Sequence, residues 1–194
     1  MIKNTRHGYG AVAILFHWVM ALLILGMLGL GLYMVRLPQS DPDAFALFQL
    51  HKSIGFVVLT LAALRLLWRA VNPSPKLPAE MPVWEKGVAH LGHAGLYAMM
   101  FLLPLSGWLL VSASPWGIPT IVFDLFEVPH LPVPGDKAGT AALAAAVHEY
   151  GAYFLILLIA GHVAAAFKHH FIARDETLKR MVRPSRGAQT VPGE

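Results

Sequence analysis

Cysteine is absent from all 194 residues, which removes disulfides, iron–sulfur clusters, thiolate zinc sites and covalent haem attachment through a CxxCH motif. Charge is scarce as well. Only 13% of residues are Asp, Glu, Lys or Arg, against 56% hydrophobic, a balance that a water-soluble domain of this size rarely tolerates. Neither a repeat of fixed period nor a hydrolytic constellation is visible. With thiols missing, metal chemistry falls to histidine, and there are ten.

The apolar residues are gathered into four runs, at about 11–35, 49–67, 88–112 and 141–166, each near the roughly 20 residues that cross a hydrocarbon core as helix. The expected fold is therefore all-α, a four-helix transmembrane bundle. Lys3 and Arg6 ahead of the first run resemble the start of a secretory signal, but His17 and Trp18 interrupt it and it runs on too long, so it reads as a retained helix. The formal net charge of +4 does not point to nucleic acid, because the cations are sorted by membrane side. Twelve of the fifteen Lys and Arg residues fall in the segments on the side of the termini, and only Arg36, Lys52 and Lys137 on the other. That bias predicts cytoplasmic N- and C-termini. Residues 4–172 read as one membrane domain and 173–194 as a cytoplasmic tail without fixed structure. The long outer connection, 114–139, with Trp116, Phe123, Phe126 and several prolines, reads as a packed cap.

Histidine inside a membrane helix is costly unless neutral and partnered, so such residues call for a functional explanation. His148 and His162 lie fourteen residues apart in the fourth run, which returns to nearly the same helix face after about 21 Å. One metal cannot bridge that distance, but two stacked cofactors can each take one imidazole. By depth His51, at the outer start of the second helix, faces His148. On the inner side His17, near the start of the first helix, is level with His162 and completes the second pair, with His93, at similar depth, as the alternative partner. Two haems, each between two neutral imidazoles, suit this arrangement. Gly26, Gly29, Gly31, Gly55, Gly151 and Gly161 offer close approach either to flat rings or to neighbouring helices. Arg65 and Arg69 are placed to meet haem propionates or lipid headgroups at the inner face. His7, His169 and His170 are expected beside headgroups or propionates, and His130 in the solvated outer loop.

Segment 5–18 ending in His17-Trp18, Leu50-His51-Lys52-Ser53-Ile54-Gly55, Arg65-Leu66-Leu67-Trp68-Arg69, segment 90–107 and the two histidines of the fourth run together resemble the bacterial cytochrome b561 family, which is related to the membrane cytochrome b subunits of hydrogenases and formate dehydrogenases. The resemblance covers about 4–170. It implies two haems b with ligands on His17, His51, His148 and His162, and ubiquinone as electron acceptor or donor. One branch of the family passes electrons from superoxide to ubiquinone, while the hydrogenase-type relatives serve as haem-bearing anchors and relays for a separate redox subunit. The partners implied are thus the lipid bilayer, membrane quinone and either a periplasmic redox donor or superoxide. A positive funnel suits an anionic substrate, yet the outer segments carry Asp41, Asp43, Asp124, Glu127, Asp136 and Glu149 against their three cations.

Overall fold

The structure, a computed structural model, describes residues 1–6, 8–38, 40–72 and 74–185. Among these residues four long helices follow one another: α1 (Ala11–Met34), α2 (Ala44–Val71), α3 (Val83–Ala113) and α4 (Lys137–Phe167). Each is long and apolar enough to cross a membrane. Consecutive helices pack together, α1 on α2, α2 on α3 and α3 on α4. The bundle exposes Leu15, Leu22 and Leu25 on α1, Leu64 and Leu67 on α2, Leu91, Leu102 and Leu105 on α3, and Leu143, Phe154 and Leu157 on α4. Such a surface suits lipid, where contact with acyl chains costs these side chains nothing.

All four helices except α1 outrun the apolar stretches read from sequence. The second begins at Ala44 instead of 49 and ends at Val71 instead of 67; the third begins at Val83, taking in Glu85 and Lys86. Hydropathy marks only the part of a helix that lies in hydrocarbon. The backbone keeps its hydrogen bonds through the headgroup zone, so polar residues there prolong the helix. Past Phe167 the fourth helix continues as a π-helical segment, Lys168–Ala173, closed by Arg174 in the left-handed region at φ 53°.

At mid-depth Met20, Ala62 and Met100 form a buried cluster from three helices, flanked by Ile24, Leu61, Tyr97 and Phe101. Hydroxyls within the helices are satisfied by back-bonding: Thr60 donates to the Phe56 carbonyl and Ser112 to that of Trp108. Pro104 lies inside α3 without ending it, and two residues on the Ser106 hydroxyl donates to the Leu103 carbonyl at 2.9 Å.

The connection from α3 to α4 contains a hairpin, β1 (Thr120–Val122) paired antiparallel with β2 (Phe126–Val128) in the register Ile121 opposite Glu127. Its turn places Phe123 and Asp124 at φ 48° and 58°, with Leu125 N–H donating to the Val122 carbonyl at 2.9 Å, the type I′ geometry that suits strand twist. A phenylalanine there is strained, and the surroundings must hold it. Ser53, 2% exposed, does so: its hydroxyl oxygen accepts from Phe123 N–H at 3.1 Å while the hydroxyl reaches the Gln49 carbonyl at 2.9 Å. Gln49 and Lys52 both donate to the Pro119 carbonyl, at 3.0 and 2.9 Å. The hairpin is thereby fixed to the first turns of α2. Ser53→Ala strands a buried amide, which costs about 1–3 kcal/mol; hydrogen exchange at Phe123 is expected to accelerate correspondingly while exchange at mid-depth α2 is unchanged.

The hairpin end is called the outer end here, after the charge bias. Both termini meet at the other: Met1 carbonyl accepts from Ala11 N–H, the amino terminus donates to the Ser185 carbonyl, and Ser185 N–H returns to Tyr9. Residues 174–185, which the sequence assigns to the tail, include a 3₁₀ turn at Lys179–Met181; Trp18 Nε1 donates to the Met181 carbonyl at 2.8 Å, and Arg180 to that of Lys76. The remainder of that assigned tail, 186–194, and His7 lie outside the described residues.

Candidate functional site: imidazoles paired at two depths

At the outer end α2 brings His51 and α4 brings His148 to a ring-centre separation of 6.1 Å, with planes at 71°. The surroundings dictate which nitrogen of His148 is free. Its Nδ1 lies 2.9 Å from the Leu103 carbonyl, an obligate acceptor, and 3.2 Å from Ser106 Oγ; Nδ1 therefore carries the proton and Nε2 keeps its lone pair. A carbonyl that accepts from the far nitrogen in this way orients a metal-binding imidazole. Among the described residues His51 Nδ1 is buried without a hydrogen-bond partner, an orphaned polar atom of the sort that marks a site.

Glycines on the neighbouring helices admit both rings. A Cβ on Gly31 of α1 would stand 3.3 Å from His51 Cε1, and one on Gly107 of α3 would stand 3.1 Å from His148 Cε1. Of the other glycines read from sequence, Gly151 packs on Leu103 and Gly55 near Met27, while a Cβ on Gly26, Gly29 or Gly161 would meet nothing within 4 Å.

At the inner end three imidazoles converge. His17 of α1 lies 6.1 Å from His162 of α4 at 52°, and His93 of α3 lies 5.5 Å from the same ring at 66°. Two arginines of α2 close the site. Arg65 Nε donates to Tyr97 Oη at 3.1 Å, and the Arg65 and Arg69 guanidiniums stand 5.4 and 5.3 Å from the Tyr97 ring centre, a cation–π distance. Arg65 also lies within electrostatic range of His17, His93 and His162.

One metal held axially by two imidazoles spans about 6 Å between ring centres, from two bonds of about 2 Å and a ring radius of about 1 Å on each side. The 6.1 Å separations of His51 with His148 and His17 with His162 match that span. His93 stands closer to His162 than it allows.

The remaining histidines divide. His169, expected beside headgroups or propionates, meets protein carboxylates: Nδ1 lies 2.6 Å from Asp175 Oδ2, and Nε2 lies 3.8 Å from Glu85, which also pairs with Lys168. Burial works against ionisation of Asp175, but hydrogen bonding from Thr177 and the His169 imidazole outweigh it and hold the carboxyl below its ordinary range. His170 has a buried Nδ1 without a partner. His130 is exposed, with Nε2 3.3 Å from the Ile118 carbonyl.

Sequence reasoning missed the Leu103 carbonyl, Gly107 and Tyr97. A backbone acceptor carries no side-chain signal, but Tyr97 falls one helical turn after His93 and Gly107 about four turns after it, spacings that place both near the helix face that carries His93.

Apolar helices that cross a bilayer, with imidazoles matched near each face, define a membrane-embedded cytochrome b of the electron-transfer class. A family model described as prokaryotic cytochrome b561 matches residues 8–184. The chain is 38% identical to cytochrome b561 homolog 2 of Escherichia coli (strain K12), with 94% of this chain and 95% of that protein covered. It is 28% identical to the probable superoxide oxidase CybB of Yersinia pestis, over 92% and 98%, and 29% identical to cytochrome b562 of Cereibacter sphaeroides, over 91% and 96%. The chain belongs to the prokaryotic cytochrome b561 family: a multi-pass protein of the bacterial inner membrane that works in electron transport with haem b.

Proposed function

We propose that the protein carries two haems b, one between His51 and His148 and one between His17 and His162, and moves electrons across the bilayer in exchange with membrane quinone, ubiquinone being the expected acceptor or donor. The observation that supports this most directly is the repetition of the same 6.1 Å imidazole separation at both ends of the bundle. Haem iron, when bound, supplies one-electron ferric–ferrous cycling.

The chain's own residues do the rest. The Leu103 carbonyl fixes the tautomer and aim of His148. Gly31 and Gly107 let the outer imidazoles lie close to backbone. Arg65 and Arg69, grouped on Tyr97, present guanidiniums where the propionates of an inner haem need charge-assisted hydrogen bonds. The Met20, Ala62 and Met100 cluster between the two levels is buried and apolar, an environment that disfavours water and protons following the electron. The charge bias supports a topology with both termini, and the inner pair with them, on the cytoplasmic side.

A reduced-minus-oxidised absorption spectrum with a haem-to-protein ratio tests the reading. A ratio of about two, with quinol reducing the iron, is the expected result; absence of a haem band after haem-replete expression would sink it.

The relative named probable superoxide oxidase makes superoxide the first donor to consider, as a superoxide:ubiquinone oxidoreductase. The outer charges disfavour it, six carboxylates facing three cations, and Lys52, the cation next to His51, directs its ammonium at the Pro119 carbonyl. The same charges favour the second reading, a haem-bearing anchor that relays electrons from a separate redox protein.

A further inference from the structure

The outer hairpin turns apolar side chains away from the bundle. Trp116, Leu125 and Phe126 are 81%, 79% and 57% exposed, and Phe123, Asp124 and Glu127 are exposed among them. These residues belong to no membrane-spanning segment, so exposure of this much apolar surface marks an interaction site. The position of the patch is also fixed. The strained turn at Phe123 and Asp124 is held by Ser53, and Pro119 by Gln49 and Lys52, all within one helical turn of His51.

The occupant follows from charge. Burying the hairpin in the bilayer interface would carry Asp124 and Glu127 against lipid phosphates, which repel them. A protein that presents lysines around an apolar centre satisfies both features at once, in the usual arrangement of an apolar contact with a charged rim. The wider outer face, with Asp41, Asp43, Asp136 and Glu149 in excess over its cations, extends the attraction. We propose that this hairpin is the docking surface for a soluble cationic electron-carrier protein that exchanges electrons with the outer histidine pair. The proposal rests on the di-haem reading and names its outer partner. The exchange would be one electron: the reduced carrier would give up one electron, a haem held by His51 and His148 would accept it, and no bond or proton would be transferred.

The test uses the full chain, haem-loaded, in nanodiscs of zwitterionic phosphatidylcholine. The probes are a cationic c-type cytochrome and the same protein succinylated to an anionic form. The cationic form is expected to bind, with affinity falling roughly tenfold between about 10 and about 200 mM salt, and the succinylated form to bind at least tenfold more weakly. Asp124→Asn with Glu127→Gln, and separately Leu125→Ser, should each weaken binding several-fold with the haem spectrum unchanged; Asn tolerates the positive φ at 124. Electron transfer from the reduced cationic probe should slow with salt in the same way.

Equal binding of both probe forms overturns the proposal, as does binding that the hairpin substitutions leave untouched. Quenching by brominated lipid that disappears in Trp116→Phe would show the hairpin in the bilayer and also overturn it. Failure of the di-haem reading is separately visible, because it removes the haem spectrum and leaves the binding measurement intact.

Discussion

Replacing His162 with alanine is expected to lower the haem-to-protein ratio from about two to about one, with the outer haem's band retained. His162 is the residue that both inner partners face, His17 at 6.1 Å and His93 at 5.5 Å between ring centres, so its loss removes the inner haem whichever of them completes the pair. His17→Ala should have the same effect, because the longer separation is the one that leaves room for a metal with two bonds of about 2 Å. His93→Ala should keep both haems and shift the inner band or its midpoint potential, since an imidazole beside the ligand changes the local polarity. His51→Ala and His148→Ala should remove the outer haem alone. The bundle survives each change, because its helices satisfy their own backbone in lipid. Quantitative haem extraction against protein concentration reads all five variants. Two haems in His162→Ala, or loss of the inner haem in His93→Ala with retention in His17→Ala, would reject the assignment.

How much of this was legible in sequence depends on the range of the interaction. The four spans were, because a hydrocarbon core imposes a length of apolar helix that nothing else in the chain imitates. The histidine depths were too: His148 and His162 share one helix, so their separation is fixed by rise per residue alone, and His51 follows once the direction of α2 is known. The choice between His17 and His93 was not, since both sit one helical entry from the inner face and only the lateral placement of α1 and α3 separates them. The helices run past those apolar spans where polar residues such as Glu85 and Lys86 continue a helix beyond hydrocarbon. The hairpin escaped because its turn uses Phe123 and Asp124 at positive φ, where the usual Asn-Gly or Asp-Gly signal is missing, and because its anchor is a serine 70 residues away in sequence. His169 reads from sequence only as interfacial: its contact with Asp175 depends on the turn that closes the π-helical segment, and that with Glu85 on α3 meeting the end of α4.

Gly107→Val should abolish the outer haem without touching a histidine. A Cβ at position 107 stands 3.1 Å from His148 Cε1 and 3.3 Å from its Nδ1, inside the roughly 3.5–4.0 Å of favourable carbon contact, and valine adds two further carbons beyond it. One of the two must move. The imidazole has little freedom to do so in place, because the bond from its Nδ1 to the Leu103 carbonyl ties it to α3, the same helix that carries Gly107. The ring must therefore break that bond and swing away, which takes Nε2 off the line towards His51. Axial ligation tolerates little such error, so the expected outcome is a haem-to-protein ratio near one, with the inner haem's band and quinol reactivity of that haem intact. Gly107→Ala, which asks the ring to give by only a few tenths of an ångström, should retain the outer haem with a displaced midpoint potential. The retained inner band is the internal control for folding, and its loss together with the outer one would show that valine had damaged α3 as a whole instead of the imidazole's seat. Full retention of both haems in Gly107→Val would mean that the close approach of this glycine to His148 does not position the ligand.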